Sequence, residues 1–361
     1  MRSVLNVGVV GCGMIADIYL KNMQHIFSDV LHIRGICNRS PAAARQRAEQ
    51  YHIECCYESY EAMLRDPQID IVLNLTPPQV HYALSRQAIQ AGKHVYSEKP
   101  LAMTYEEGAE LLALAAEKGV QIGCAPDTAL GALIQTAKKL VEDGAIGRVV
   151  GATANLVKQG VETWHPNPDF LYQPGGGPLL DMGPYYLTAL LHILGPFAAV
   201  SAMDAISFPT RTITSQHHYG QTIHVHVPTY VNALLQMESG ALATFTATFD
   251  VWKAKLPFLE IYGSEGSICI SDPNLFGGTV QMAKPGGDYT AVPLTFPYSD
   301  NSRGLGLADM AQAILNGTES RADGKYALHI LETMDAIARS ARSGQRITLQ
   351  TKCQKPAAME A

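Results

Sequence analysis

The stretch Val-Leu-Asn-Val-Gly-Val-Val-Gly-Cys-Gly-Met-Ile-Ala, residues 4–16, decides the predicted fold. The apolar run 4–10 predicts a strand, and the Gly-x-Gly-x-x-Ala pattern after it predicts a tight turn into a helix. The first glycine permits the turn, the second lets backbone amides approach a pyrophosphate, and the small third residue lets the helix pack on the strand. Because the pattern joins a strand to a helix, it favours dinucleotide binding over a merely structural turn.

The rest of the first third continues this alternation of strands and helices. Further strands are predicted at His32–Cys37, Ile69–Leu75, His94–Tyr96 and Val120–Cys124, with helical segments between them. The pairs Ser40-Pro41 and Thr104-x-x-Glu107 are typical helix starts. Strands that alternate with helices imply a parallel sheet covered on both faces. We therefore predict an α/β fold that begins with a Rossmann, doubly wound parallel sheet over residues 1–125.

After about residue 148 the pattern changes to successive strand-like runs, among them Val149–Val157 and Ile223–Met237, with little helix between them. Alternation such as Leu242-x-Thr244-x-Thr246 indicates an antiparallel sheet with one packed face. Two helices, near 307–315 and 325–343, follow the strands. We predict an α+β domain over residues 126–350, with a large, mostly antiparallel open sheet for substrate binding and oligomerisation. The tail 351–361 carries no pattern, and we expect it to be disordered.

Composition and charge limit the classes of partner. The net charge is -6, from 33 acidic and 27 basic residues without a block of one sign, so neither nucleic acid nor a membrane is expected as partner. The N-terminus lacks the cleavage site of a secretory signal, and seven scattered cysteines favour a reducing cytosol, hence a cytoplasmic protein. The histidines at 217, 218, 224 and 226 have no acid or cysteine nearby, and no metal site is expected.

The end of the second predicted strand bears on the choice of cofactor. An NAD enzyme usually places an acid there for the ribose hydroxyls, whereas this chain has Asn38-Arg39. Asn38 can bind a ribose without repelling a phosphate, and Arg39 can pair with a 2′-phosphate. The alternative is that Arg39 is an ordinary surface residue. We predict NADP as cofactor, with NAD as the alternative.

The triplet Glu98-Lys99-Pro100 leaves the end of the fourth strand. In an open parallel sheet, ligands bind at the carboxyl ends of the strands. A lysine there, beside a nicotinamide ring, could exchange a proton with a substrate hydroxyl, and the proline would fix its direction. An ordinary ion pair at the end of a strand is the alternative.

Several motifs together resemble those of one known family. They are the loop 11–16, Thr76-Pro77-Pro78-Gln79-Val80-His81, the run 91–100 that ends in Glu98-Lys99-Pro100, and Gly175-Gly176-Gly177-Pro178-Leu179-Leu180-Asp181-Met182-Gly183. Over nearly its whole length the chain is similar to the glucose-fructose oxidoreductase/inositol dehydrogenase/MocA (Gfo/Idh/MocA) oxidoreductases. The lysine triplet and the glycine-aspartate segment are far more specific together than either is alone.

The resemblance, for Lys99 and Asp181, and the chemistry and position of the other residues together predict the members of the site. Lys99 and Asp181 would be catalytic. The cofactor contacts would come from Gly11, Gly13, Met14, Ile15, Asn38, Arg39, Thr76, Pro77, His81, Glu98 and Lys99. The substrate contacts would come from Lys99, Asp127, Trp164, His165, Asp181 and Tyr185.

The chain departs from the family at residue 185, where the family often has histidine and this sequence has tyrosine. Tyr185 is a poorer base but a good hydrogen-bond donor, so it is a third catalytic candidate, or else a core aromatic. His165 is a possible substitute for the histidine, or a packed loop residue. Trp164 offers the flat apolar face that suits a carbohydrate. Asp127 could bind substrate, or cap the helix that follows from Leu130.

The activity implied is hydride transfer between a nicotinamide cofactor and a hydroxyl or carbonyl carbon of a sugar or cyclic polyol. The alternatives are an NADPH-dependent reductase of a small carbonyl or dihydrodiol compound, and a non-catalytic nucleotide-sensing regulator. A regulator would tend to lose the lysine, and this chain keeps it. The resemblance also implies a homodimer or homotetramer formed through the C-terminal sheet.

Overall fold

The structure of the protein is a computed structural model that describes residues 3–360. Its contacts divide the chain into two compact units. The first unit consists of the chain up to Leu130 together with Asp300–Leu331. The second consists of Gly131–Ser299 and the chain from Glu332 onward.

The first unit contains alternating strands and helices. In chain order they are β1 Leu5–Val10, α1 Ala16–His25, β2 Leu31–Cys37, α2 Pro41–Gln50, β3 Cys55–Cys56, α3 Tyr60–Arg65, β4 Ile71–Asn74, α4 His81–Gln90, β5 His94–Ser97, α5 Tyr105–Lys118 and β6 Ile122–Cys124. The strands form a six-stranded sheet in this part of the described chain, in the order β3-β2-β1-β4-β5-β6, and every pairing is parallel. The predicted Rossmann sheet is confirmed.

Local side-chain chemistry explains where two of these helices begin. Ser40 accepts a hydrogen bond from the Ala43 amide at 3.4 Å, with Pro41 at the first helical position of α2. Thr104 accepts from the Glu107 amide at 3.2 Å at the start of α5, and α5 ends at Gly119 in the left-handed conformation. Each cap pairs a backbone amide that the helix leaves unpaired, and is worth about 1 kcal/mol. Both caps were predicted from the sequence.

The first unit also contains a segment from far along the chain. Helix α8 spans Leu305–Asn316. Helix α9 spans Gly324–Ser343 and crosses the division at residue 331. The Cys124 amide donates to the Ala322 carbonyl at 3.0 Å, and Gly123 forms a β-bridge with Asp323. The boundary expected at residue 125 therefore describes the two units incompletely, because this returning segment satisfies backbone groups at the edge strand β6.

The second unit is built around a large mixed sheet. Its elements before residue 300 are α6 Ala132–Glu142, β7 Val149–Val157, α7 Gly177–Leu194, β8 Phe197–Ala205, β9 Thr210–Thr212, β10 Thr222–His224, β11 Tyr230–Met237, β12 Leu242–Thr248, β13 Leu259–Gly263, β14 Gly266–Ile270, β15 Val280–Ala283 and β16 Thr290–Val292, and β17 Ile347–Thr348 follows α9. Nine strands of the described chain form the sheet β16-β15-β14-β13-β7-β12-β11-β8-β17. All of its pairings are antiparallel except β7 with β12, so the predicted mostly antiparallel sheet is confirmed.

The two faces of this sheet differ in burial. In β11, Val231, Ala233 and Leu235 are buried, while Leu234 between them is 63% exposed. The outward side chain of Met203 in β8 is also exposed, at 80%. A two-residue period therefore puts one face on the core and leaves apolar side chains on the other.

The tail beyond Thr351 was expected to be disordered. Residues 351–360 have neither helix nor strand, but they make specific contacts within the second unit. Nζ of the fully buried Lys138 donates to the Pro356 carbonyl at 2.6 Å and to the His192 carbonyl at 2.9 Å. Lys355 pairs with Glu142 at 2.8 Å. A pattern-free segment is ordered here because one of its carbonyl groups, that of Pro356, accepts from a buried ammonium.

Among the helices of residues 3–360, not one combines the length and the apolar character needed to cross a membrane.

Candidate functional site

The glycine loop leads from β1 into α1 with the geometry that its sequence predicts. Gly11 has φ +101, and a Cβ there would lie 2.7 Å from the Leu75 carbonyl carbon and oxygen. A Cβ at Gly13 would meet no atom within 4 Å, and Gly13 is exposed. Ala16 is fully buried at the start of α1. Gly11 thus satisfies a packing constraint, whereas Gly13 leaves open space beside the loop backbone.

The residues present fit a dinucleotide. Helix α1 begins at this loop without a side-chain cap on its first amides, and its N-terminus carries the positive end of the helix dipole. The Met14 side chain is 69% exposed next to the open space at Gly13. The loop can therefore receive a pyrophosphate, with backbone amides as donors.

The end of β2 is bonded directly to this loop. Asn38 Oδ1 accepts a hydrogen bond from the Cys12 amide at 3.3 Å, and Asn38 Nδ2 donates to the Ser40 carbonyl at 3.4 Å. Arg39 follows as an exposed residue. Asn38 therefore shapes the loop with its oxygen. The predicted roles of Asn38 and Arg39 toward a ribose and a phosphate stay predictions.

The end of β4 is a compact polar turn. The fully buried Asn74 accepts from the Thr76 hydroxyl at 2.6 Å and from the Thr76 amide at 3.3 Å. Pro77 and the short 3-10 turn Pro78–Val80 lead into α4. His81, predicted to contact the cofactor, is fully buried, and its ring nitrogens lie 2.7 Å from the Thr76 and Pro100 carbonyl oxygens. Its ring is thus engaged by backbone groups of the protein itself.

The turn after β5 presents Lys99. The Glu98 amide donates to the Asn74 carbonyl at 2.9 Å, which joins this turn to the end of β4. Glu98 Oε1 accepts from the Tyr19 hydroxyl at 2.8 Å, and Oε2 accepts from the Lys99 amide at 3.1 Å. The Lys99–Pro100 peptide bond is cis, and Lys99 is half-buried. Glu98 acts on the backbone and on α1, so it holds the shape of the turn.

Asp127 does not cap the helix from Leu130. Its side chain is 1% exposed, and Oδ2 accepts from the Gly304 amide at 2.8 Å and the Gly306 amide at 3.2 Å, at the start of α8. Burial raises the pKa of Asp127 to about 6, while the Arg303 guanidinium and the two amides act in the opposite direction. The prediction that Asp127 caps the helix from Leu130 is therefore wrong, because its partners are at the start of α8. These partners lie 177 and 179 residues further along the chain, and local sequence patterns do not detect a contact over that separation.

In the second unit, Asp181 and Tyr185 lie on α7. Asp181 is partly exposed in the second turn, and Tyr185 is one turn later and 8% exposed. The spacing of four residues puts both on the same side of the helix. Tyr186 is fully buried and donates to Asp272 Oδ1 at 3.1 Å. Both tyrosines are therefore buried, so the interpretation of Tyr185 as a core aromatic stands beside its catalytic interpretation.

The loop between β7 and α7 carries the exposed aromatic group. Trp164 is 64% exposed and forms an edge-to-face pair with His165, with ring centroids 5.4 Å apart. His165 makes a similar pair with Phe170 at 5.6 Å. His165 Nδ1 accepts from the Asn167 amide at 3.0 Å. This contact leaves the ring proton of a neutral His165 on Nε2, which makes it a hydrogen-bond donor.

A buried ionic network that the sequence did not predict anchors this loop. Arg211 donates to Glu162 at 2.7 Å and to Asp250, and it lies over the Tyr172 ring at 5.2 Å. Tyr172 donates to Glu162, whose backbone carbonyl accepts from Thr214 and Ser215. Arg211 and Glu162 are each less than 10% exposed in their side chains. Because these residues are far apart along the chain, only the isolated charges were visible in the sequence.

Within residues 3–360, no cluster of three or more histidine, cysteine or acidic side chains has the arrangement to hold a metal ion.

Two family models match the chain. The oxidoreductase family model GFO_IDH_MocA, described as an NAD-binding Rossmann fold, covers residues 5–125. The model of the GFO/IDH/MocA C-terminal domain covers residues 134–269. Together they span both units and include the glycine loop, the Lys99 turn and helix α7.

Relatives and a solved structure agree with this match. The chain is 31% identical to D-glucoside 3-dehydrogenase of Escherichia coli over 61% of each chain. It is 27% identical to D-xylose 1-dehydrogenase (NADP(+)) 2 of Haloferax volcanii over 87% of this chain and 91% of the relative. The aldose-aldose oxidoreductase of Caulobacter crescentus, solved with glycerol, has TM-score 0.80 and 26% identity and covers 96% of this chain and 99% of its own.

Proposed function

The chain belongs to the Gfo/Idh/MocA oxidoreductase family, and from that premise we propose that it is an NADP-dependent dehydrogenase or reductase of a sugar or cyclic polyol. The two relatives named above are both dehydrogenases. The observation that carries the finer proposal is the position of Lys99. It is a half-buried lysine at the carboxyl end of β5. In the sheet order β1-β4-β5, its strand pairs with the strand that leads to Thr76, and that strand in turn pairs with the one that leads to the glycine loop.

The chemistry of the residues supports a proton-transfer role for Lys99. The bound nicotinamide ring would accept or supply the hydride at a carbinol carbon. Lys99 would take the hydroxyl proton on oxidation and return it on reduction. Glu98 limits the freedom of the turn through the Lys99 amide and the Tyr19 hydroxyl, so the ammonium group is presented by a fixed backbone. Such preorganisation is what a general acid or base requires.

The second unit supplies groups suited to a polyhydroxylated substrate. Asp181 and Tyr185, one turn apart on α7, offer an acceptor and a donor for neighbouring hydroxyls. Trp164 offers an exposed flat ring, and the Nε2 proton of His165 offers a further donor. We assign Asp181 and Tyr185 to the catalytic group, and Trp164 and His165 to substrate recognition. Asp127 leaves this set, since its carboxylate is buried against the start of α8.

The preference for NADP over NAD rests on the end of β2. Asn38 is neutral and Arg39 is an exposed guanidinium at that end, so a 2′-phosphate would meet no carboxylate there. One of the relatives is named for NADP(+). A charge-assisted hydrogen bond is worth about 1.5–3 kcal/mol, or about a 10- to 150-fold change in affinity. Arg39→Ala is therefore expected to weaken NADP binding by about that factor and to leave NAD binding unchanged.

The experiment is a steady-state and stopped-flow survey of a panel of sugars, cyclic polyols and their carbonyl forms with NADP and NAD. Lys99→Ala is expected to slow hydride transfer by about 100-fold or more while cofactor affinity is kept. Lys118→Ala, at the exposed end of α5, is the matched control for loss of a lysine, and Arg65→Ala on α3 is the control for Arg39. Cofactor binding without turnover of any compound would remove the proposal in favour of a nucleotide-sensing protein. An unaffected rate in Lys99→Ala would remove the proton-transfer role of Lys99.

The exposed apolar face of the large sheet supports self-association as a homodimer or homotetramer. Leu234, Met203 and Leu242 project from adjacent strands and are each more than 60% exposed. Apolar groups so exposed on neighbouring strands are typical of a protein interface. Sedimentation velocity of the wild type and of Leu234→Glu measures this directly, and an oligomer that persists unchanged in the variant would contradict it.

All seven cysteines are free thiols, which supports a reducing cytosol as the compartment.

A further inference from the structure

His81 occupies an unusual position within the first unit. It begins α4 and is fully buried, and its two ring nitrogens face two backbone carbonyl oxygens at 2.7 Å. Nε2 faces Thr76, in the turn after β4, and Nδ1 faces Pro100, in the turn that carries Lys99. One imidazole therefore bridges the two turns that leave neighbouring strands of the sheet.

The number of protons on this ring decides how many of the two contacts are hydrogen bonds. A carbonyl oxygen only accepts, so each contact needs an N–H on the histidine. The neutral ring has one N–H, and its other nitrogen would point a lone pair at a carbonyl. The imidazolium ion has two and satisfies both. The His81 carbonyl has its own partner, because Asn74 Nδ2 donates to it at 3.3 Å.

We propose that His81 is a positioning residue that ties the Thr76 turn to the Lys99 turn, and that a second ring proton switches it from holding one turn to holding both. It acts through backbone carbonyls and does not touch the substrate. The Thr76 turn adjoins the glycine loop through the close approach of Gly11 to Leu75, and the other turn presents Lys99. Protonation of His81 would thus couple the order of the Thr76 turn to that of the Lys99 turn.

The charged groups near His81 indicate the pH range in which the switch operates. Burial lowers the pKa of His81, and Lys99 lowers it further, while the two carbonyl contacts and Glu98 oppose the shift. The net direction is downward, so the second proton is lost on the acid side of the usual histidine range. As pH rises through that point, one of the two turns is released.

The first test needs neither substrate nor cofactor. The ring nitrogens of His81 are followed by NMR in the ¹⁵N-labelled full chain, with the resonances identified by their loss in His81→Asn and His81→Gln. We expect both nitrogens to be protonated at low pH and one to lose its proton on titration. A ring that carries a single proton throughout the range of about pH 4.5–8, where histidines ordinarily titrate, would overturn the proposal.

The second test separates the two turns. An asparagine amide nitrogen lies near the position of Nδ1, and a glutamine amide nitrogen lies near that of Nε2. His81→Asn should keep the bond to Pro100 and the rate of hydride transfer, while its NADPH affinity falls by about tenfold, the value of one hydrogen bond. His81→Gln should keep the bond to Thr76 and the affinity, with the rate falling by about tenfold. In the wild type, a step should occur at the NMR pKa of His81. It should appear in the calorimetric NADPH affinity if the Thr76 contact is the one lost, and in the rate of hydride transfer if the Pro100 contact is the one lost.

The control is His94→Gln, which replaces a half-buried histidine in β5 whose Nδ1 accepts from the Gln121 amide. It should keep the step, and both His81 variants should lose it. A step that survives in both His81 variants, or a ring titration without any step, would overturn the proposal. The rate readout rests on the function proposed above and the affinity readout on the cofactor proposed there, but the titration rests on neither. If no substrate is turned over, the proposed function fails while the role of His81 is still decided.

Discussion

Replacing Asp127 by asparagine should change the stability of the protein in a way that depends on pH. The carboxylate is buried, and its ionised form is disfavoured because the two glycine amides and Arg303 only partly replace the water that it loses. Its pKa rises from 3.8 in a model compound to about 6 in the fold. Two pKa units correspond to about 3 kcal/mol of differential interaction between the protonated and ionised forms.

The sign follows from linkage. The folded protein binds this proton more tightly than the unfolded chain, so the carboxyl contributes full stability below a pH of about 4 and loses it as pH rises to about 6. Asp127→Asn keeps an oxygen that can accept from both amides, and it cannot ionise. Relative to wild type, the free energy of unfolding of the variant should therefore rise by about 2 kcal/mol between about pH 4.5 and pH 8.

The assay is urea unfolding of the full chain at both pH values, for the wild type, Asp127→Asn and Asp29→Asn. Asp29 is an exposed carboxylate of the same unit, and its replacement controls for the change in net charge. The quantity compared is a double difference: the free energy of unfolding of the variant minus that of the wild type, at about pH 8, minus the same difference at about pH 4.5. Other titrating groups contribute equally to the wild type and the variant, so they cancel in it. A double difference near zero for Asp127→Asn, or one equal to that of Asp29→Asn, would refute the reasoning.

Two further predictions come from the glycine loop and the C-terminal tail. Gly11→Ala should lower the free energy of unfolding by about 1–3 kcal/mol, because its Cβ would meet the backbone of Leu75 at positive φ. Gly13→Ala should leave urea unfolding unchanged and weaken NADPH binding by calorimetry, since its Cβ enters open space; equal stability losses would contradict this. Lys138→Met should raise the hydrogen exchange of residues 351–360, because the Pro356 carbonyl loses the buried ammonium that donates to it, whereas Lys139→Met on the exposed side of α6 should not. Burial lowers the pKa of Lys138 to about 8, so in the wild type the charged contact weakens as pH rises through that value.

The glycine loop and the Lys99 triplet were readable from the sequence because each is a short run whose chemistry is local. A Gly-x-Gly-x-x-Ala run has one common use when it joins a strand to a helix. The start of α2 at Pro41 and both ends of β7 were likewise predicted, since a cap or an uninterrupted β-rich run sets them. The strand predicted over 223–237 is two strands, β10 and β11, with Pro228 between them. A proline cannot donate to a sheet, and this signal was in the sequence.

The roles of the polar side chains were harder to predict. Asp127 and His81 were expected to face a ligand, yet both are buried against backbone groups of the first unit. Residue type and position at a strand end are the same for a side chain that points into a cleft and one that turns back into the fold. Only the tertiary partners distinguish the two cases, and for Asp127 those partners are at 304 and 306.

By itself the sequence determined the fold class, the family and the position of Lys99 at the end of its strand. These follow from hydrophobic periodicity, helix caps and short motifs, which act over a few residues and survive without any knowledge of the rest of the chain. Only the tertiary structure decided that Asp127 holds α8, that Arg211 joins Glu162 to Asp250, and that His81 bridges two turns. Burial and hydrogen-bond partners depend on which distant segments meet, and that is a property of the folded chain as a whole.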